Sequence, residues 1–134
     1  MAERGRVTGL GGVFFKSTAP ERLIAWYQRH LGITTDQYGA SFFWREDHDP
    51  SQRGQTVWAV FDQGSDYFAP SDKPFMINFR VDDLDAVLER LRALGVSVDP
   101  KIEDGPLGRF AWIMDPEGTR IELWQAPPEQ EPAA

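Results

Sequence analysis

Glu122 is the residue whose chemistry this sequence leaves most open. It stands in Arg120-Ile121-Glu122-Leu123-Trp124, where polar and apolar residues alternate. Alternation of period two is strand patterning, so Arg120, Glu122 and Trp124 share one face and Ile121 and Leu123 the other. A carboxylate in so apolar a strand needs a partner, a metal, a ligand or a shifted pKa. Three active roles are open to it: general base, hydrogen-bond acceptor for a ligand, or residual metal ligand. The bland alternative is an ion pair with Arg80, Arg120 or Lys16. Asn78, between Ile77 and Phe79, is the second such residue. Its amide donates and accepts, which suits either a carbonyl or amide ligand or a neighbouring backbone group. His48 lies in Glu46-Asp47-His48-Asp49, a run of metal-ligating types that reads better as the solvated tip of a hairpin. His30, near a helix end, reads as a surface or packing residue. The sequence holds no Gly-rich phosphate loop, no Ser-His-Asp arrangement and no Lys/Arg cluster. With no cysteine, disulfides, thiol nucleophiles and Cys-ligated metal sites are excluded.

The elements that must position these groups follow from local pattern. Val7 to Lys16 is a strand with a glycine pair, Gly11-Gly12, that permits close backbone approach. Ser17-Thr18-Ala19-Pro20-Glu21 starts a helix whose stripe is Leu23, Ile24, Tyr27 and Leu31, and Gly32 ends it. Short strands are expected over Ile33 to Gln37, Ser41 to Arg45 and Thr56 to Phe61, with a polar loop over residues 46–54. The connector 62–74 is rich in Gly, Ser, Asp and Pro but carries Tyr67-Phe68, two aromatics that need a partner, either the sheet or a second subunit. Phe75 to Val81 is again a strand. Asp82-Asp83 caps a helix with the stripe Leu84, Val87, Leu88, Leu91 and Leu94, ended by Gly95. Val96 to Val98, Arg109 to Met114 and Thr119 to Gln125 are strands, with a Pro- and Gly-containing loop after the first. Asp115-Pro116-Glu117-Gly118 turns the last two into a hairpin. Both halves therefore read strand, helix, strand, strand, strand, and His30-Leu31-Gly32-Ile33 matches Ala93-Leu94-Gly95-Val96. The expected fold class is α+β: two tandem βαβββ modules sharing one sheet in a single domain. Module one spans about 7–61 and module two about 75–125, with tails at 1–6 and, disordered, at 126–134.

The net charge of −7 disfavours nucleic acid and anionic membranes as partners and mildly favours neutral or cationic ligands. No apolar run approaches the ~18 residues of a membrane span, and the first residues lack an apolar signal core. These features, with the lack of cysteine, lead to an expectation of a cytoplasmic protein.

Met114-Asp115-Pro116-Glu117-Gly118-Thr119-Arg120-Ile121-Glu122-Leu123-Trp124 resembles the closing hairpin of the vicinal oxygen chelate superfamily, with Thr119 where that family usually has Asn. Val81-Asp82-Asp83-Leu84-Asp85, leading to Leu94-Gly95-Val96, and Trp26-Tyr27 to Leu31-Gly32 resemble its two helices. The family includes glyoxalases, bleomycin-resistance proteins and extradiol dioxygenases. The resemblance, over about residues 7 to 125, implies a concave sheet, commonly in a homodimer, that in the enzymes holds a divalent metal. The positions it assigns to metal ligands are Gly12, Met76, one of Trp58, Ala59 or Val60, and Glu122. Only Glu122 is a ligand in type, so no metal cofactor is expected, although a divalent ion through other ligands stays open. The inward face would carry Phe14, Asn78, Arg80 and Trp124 by alternation, with Phe43, Trp58 and Trp112 added on a less fixed phase. These seven form the expected ligand-binding set, with Glu122 as catalytic candidate. Aromatic walls with a few polar points are the usual make-up of a small-molecule site. The leading expectation is a bleomycin-resistance-like protein binding a small, aromatic or cationic molecule without metal. The alternatives are a metal-dependent lyase, isomerase or dioxygenase using Glu122, and a structural or regulatory domain with a closed core.

Overall fold

The computed structural model describes residues 4–128. The tail expected from residue 126 therefore lies, from 129 onward, outside the described residues. The order is β1 (Val7–Ser17), α1 (Pro20–Leu31), β2 (Gly39–Arg45), β3 (Arg53–Asp62), β4 (Phe75–Val81), α2 (Leu84–Ala93), β5 (Val98–Gly105), β6 (Gly108–Met114) and β7 (Arg120–Gln125). The seven strands form one sheet in the order β2-β3-β1-β4-β7-β6-β5. Each half has its own parallel pair, β1 with β3 and β4 with β7. The halves meet where β1 runs antiparallel to β4.

The helix signals act as their chemistry dictates. Asp83 accepts from the Ala86 N–H at 3.1 Å and caps α2. Asp82 does something else: its side chain accepts from the N–H groups of Gly5 and Arg6, both at 2.8 Å, and pins the incoming chain. Ser17 Oγ accepts from the Ala19 N–H at 3.0 Å just before Pro20 opens α1. Gly32, in the left-handed region at φ 69°, closes that helix. The Asp115–Gly118 turn forms as expected: Asp115 Oδ1 accepts from the N–H groups of Glu117 and Thr119 at 2.8 and 2.9 Å.

Two expectations give way. Residues 33–37 form no strand, because Asp36 turns the chain; its carboxylate accepts from the N–H groups of Tyr38 and Gly39 at 2.8 and 3.0 Å. The first half is thus β-α-β-β. Conversely, residues 98–105, expected to be mostly loop, are strand β5. Pro100 sits there at a register irregularity between Val98 and Ile102, on the sheet edge, where a missing N–H costs no ladder bond.

The core has two parts. Leu84, Val87 and Leu88 of α2 pack against Val81, Ala111 and Leu123 on the helix side of the sheet. On the opposite face Phe14, Ala59, Met76 and Trp112 surround Phe68, which comes from the connector.

Candidate functional site

Four neighbouring strands bring Val57, Gly12, Asn78 and Glu122 into one row. Gly12 pairs with Val57 and with Asn78, and Asn78 pairs with Glu122. Counting back from Val81 pointed to Met76 as the counterpart of Gly12, and the register is consistent with that: exchanging Gly12 with Met76 and Phe14 with Asn78 turns the Gly12–Asn78 pair into the Phe14–Met76 pair. A register irregularity between Leu10 and Gly12 lies just before this stretch. Close approach at that point demands glycine: a Cβ on Gly11 would stand 2.0 Å from Asn78 Oδ1.

Glu122 is 2% exposed. Its carboxylate accepts from Asn78 Nδ2 at 2.6 Å, from Trp112 Nε1 at 2.9 Å and from the Tyr67 hydroxyl. The alternative of an ion pair with Arg80, Arg120 or Lys16 does not form. Arg80 approaches Glu46, Arg120 approaches Asp99, and the Lys16 ammonium lies over the Phe68 ring. Three charge-assisted hydrogen bonds take the place of a countercharge. Burial, and then the neighbouring Glu122 carboxylate, push the Tyr67 phenol far above its ordinary value, so it stays protonated and donates. Asn78 therefore bonds a side chain rather than the backbone expected for its bland role.

The connector completes this arrangement. Tyr67 stacks on Phe61 at 5.3 Å and meets Trp112 edge-on at 6.4 Å. Phe68 is fully buried. Contact with the sheet thus answers the question that Tyr67-Phe68 raised. The middle of the cleft face is filled by the chain's own aromatics.

The far end of the same face stays open. A cavity of about 520 Å³ is bounded by Phe43, Arg45, Arg53, Arg80, Leu107 and Trp124, with Gly54 and Pro127 also at its wall. Phe43 carries the Arg53 guanidinium at 4.0 Å from its ring centre. Trp124 is fixed by its indole N–H donating to the Leu107 carbonyl at 2.8 Å and by stacking on Phe110.

A family model for the glyoxalase-like domain matches residues 12–124. The chain belongs to the glyoxalase-like family of the vicinal oxygen chelate superfamily. Two curated relatives of the glyoxalase-like chain, "Putative glyoxylase CFP32" of Mycobacterium tuberculosis (strain CDC 1551 / Oshkosh) and of Mycobacterium bovis, are each 32% identical over 111 residues. Those matches take in 69% of the chain but 42% of each relative, so the chain spans about two fifths of their length. Among solved structures it is similar to methylmalonyl-CoA epimerase of Mycobacterium tuberculosis, with TM-score 0.63, 23% identity and coverage of 96% of this chain and 94% of that one. A variant of Streptomyces coelicolor methylmalonyl-CoA epimerase in complex with 2-nitronate-propionyl-CoA gives TM-score 0.68 at 16% identity, covering 95% of this chain and 100% of that one. A 2,2',3-trihydroxybiphenyl 1,2-dioxygenase of Sphingomonas wittichii gives 0.59 at 20% identity, covering 92% of this chain and 42% of that one. At these identities the likeness is one of fold.

The glyoxalase-like site gathers most of the expected residues, in two groups. Glu122, Asn78 and Trp112 are bonded together, with Phe14 packed beside them. Phe43, Arg80 and Trp124 line the open cavity. Trp58 belongs to neither. It packs on Tyr27 at 4.7 Å and on Phe15 at 5.6 Å, on the helix side. The reason is parity: Trp58 is one residue out of phase with Val57 and Ala59, which face Phe14 and Phe68. Two residues escaped the sequence reading. Tyr67 was noticed, but nothing in a connector states its distance to Glu122. Glu46 was read as part of a solvated loop, yet it is 4% exposed.

The donor set does not fit a divalent metal. Of the central row, Gly12 and Val57 offer no side-chain donor, Asn78 offers a single neutral amide oxygen, and both oxygens of Glu122 already accept hydrogen bonds. Among the described residues no group of three or more His, Asp or Glu gathers elsewhere.

Proposed function

We propose that this glyoxalase-like protein binds a small planar molecule with an aromatic portion at the Trp124 end of the cleft face, without the metal centre of the superfamily's enzymes. The observation that supports this is the cavity of about 520 Å³ walled by Phe43, Leu107 and Trp124, a size and composition suited to a small ligand. The saturated Glu122 then serves as scaffold. It holds β4, β6, β7 and the connector together beneath the binding end, and it is not the catalytic group. The lyase, isomerase or dioxygenase alternative needs a Glu122 free to bind metal or move a proton, and three donors oppose that. The three arginines along the cavity also turn the expectation away from a cationic ligand.

The test is a titration of planar aromatics, naphthalene derivatives first, followed by tryptophan fluorescence in EDTA and again with added Mg²⁺, Mn²⁺, Zn²⁺ or Ni²⁺. Saturable binding in EDTA that Trp124→Ala abolishes supports the proposal. Binding that appears only with metal sinks it. Metal retained stoichiometrically by wild type and lost by Glu122→Ala, in elemental analysis, would restore the enzyme reading.

A further inference from the structure

Arg80 is an unusual residue to find in a sheet interior. It is 8% exposed, its Nε is buried without a partner, and its Nη2 reaches the Glu46 carboxylate only at 3.6 Å. The guanidinium carbon lies 4.9 Å from the centre of the Trp124 ring and 5.9 Å from that of Trp44. Two aromatic rings flank the group while its donors stay under-used. Burial lowers the pKa of Arg80 from its ordinary value, and Glu46 opposes that shift.

Glu46 mirrors this state. It is 4% exposed, and its Oε1 is buried with no hydrogen bond. Its other neighbour is His48, whose Nδ1 stands 4.0 Å from that oxygen on a half-exposed ring. The contrast with Glu122, which has three donors, is sharp. Unpaired buried polar groups are costly, and two in one ion pair is a poor arrangement for stability alone. Both residues also stand at cavities. Arg80 lines the 520 Å³ cavity and an adjoining one of about 470 Å³, and Glu46 lines the second. Among the described residues, the first cavity has Arg45, Arg53 and Arg80 on its wall and no Asp or Glu.

We propose that Arg80 is the anchor for a ligand carboxylate, and that Glu46 holds its place as a built-in competing anion. This rests on the binding reading above and names its ligand class: a planar aromatic carboxylate. The carboxylate meets the guanidinium edge through parallel N–H···O bonds, a geometry that a planar fork favours. The ring lies against Trp124 and Phe43. Arg53 and Arg45 add long-range attraction at the mouth. Glu46, 3.6 Å from the same guanidinium, weakens this attraction by repelling the incoming anion. It also keeps the buried arginine from standing with no countercharge at all.

The test compares 2-naphthoate with its neutral isostere 2-naphthamide, by tryptophan fluorescence and calorimetry in low salt. In wild type the carboxylate is expected to bind about tenfold tighter than the amide, the ratio that one charge-assisted pair provides. Glu46→Gln is expected to tighten naphthoate about fivefold or more, by removing the competing charge, and to leave naphthamide unchanged. Arg80→Gln is expected to erase the preference; circular dichroism checks that it folds. The wild-type and Glu46→Gln comparisons stand without it. Equal affinity for acid and amide, or weaker naphthoate binding by Glu46→Gln, overturns the anchor while leaving an aromatic-binding protein. Failure of both probes to bind, with no other planar aromatic binding either, overturns the broader reading as well.

Discussion

Removing the Tyr67 hydroxyl tests whether the connector is bonded to Glu122 or merely lies against it. In Tyr67→Phe the ring keeps its packing on Phe61 and Trp112, and one donor to a buried carboxylate is lost. A hydrogen bond to a charged group contributes about 1.5–3 kcal/mol, and no water takes over easily at a carboxylate this buried. For 134 residues, an unfolding entropy of about 2.1 cal/mol/K per residue sums to about 280 cal/mol/K, or about 3.5 °C in Tm per kcal/mol. Tyr67→Phe should therefore lower Tm by about 5–10 °C, read by calorimetry at neutral pH. A double-mutant cycle with Glu122→Gln isolates the pair, and in that background the loss should fall to less than half. A Tm within about 1 °C of wild type, or above it, would refute the claim that three donors hold this carboxylate.

Phe68→Ala removes a fully buried ring and should cost about 3–5 kcal/mol in denaturant unfolding; a smaller loss would mean that the connector is loosely docked. Trp58→Phe should leave naphthoate affinity within about twofold of wild type, because the residue faces α1. Equal loss in Trp58→Phe and Trp124→Ala would put the ligand elsewhere. Asp115 has its carboxyl held below the usual 3.8 by the N–H of Thr119 first, against an opposing effect of desolvation, with help from the N–H of Glu117. A lowered folded pKa stabilises above pH 3.8 and is lost as pH falls through the folded value. Asp115→Asn should thus flatten the acid limb of the stability curve below pH 3.8, and an unchanged acid limb would count against the turn as a stabilising device.

What the sequence made legible was whatever local chemistry decides. The Asp115–Gly118 turn, the Asp83 cap and the helix ends at Gly32 and Gly95 are written in a few adjacent residues. Alternation placed Asn78, Arg80, Glu122 and Trp124 on one face because β4 and β7 are regular over those residues. It failed for Trp58, where nothing local fixes the phase of β3. Strand β5 was hidden because its charges and Pro100 look like loop, which is how an edge strand exposed to water can look. The partners of Glu122 and the burial of Glu46 were not legible. Each depends on two segments that meet only after the sheet has formed.

Phe68 belongs to neither repeat, yet its ring sits in a cluster built by β1, β3, β4 and β6. The connector is therefore part of the core that the two halves share. A break in the connector would leave each half with an open apolar face and no ring to close it. A break at the exposed loop 47–52 would spare that cluster. The repeat is visible in the architecture, but the residue that seals the two halves together lies in the linker between them.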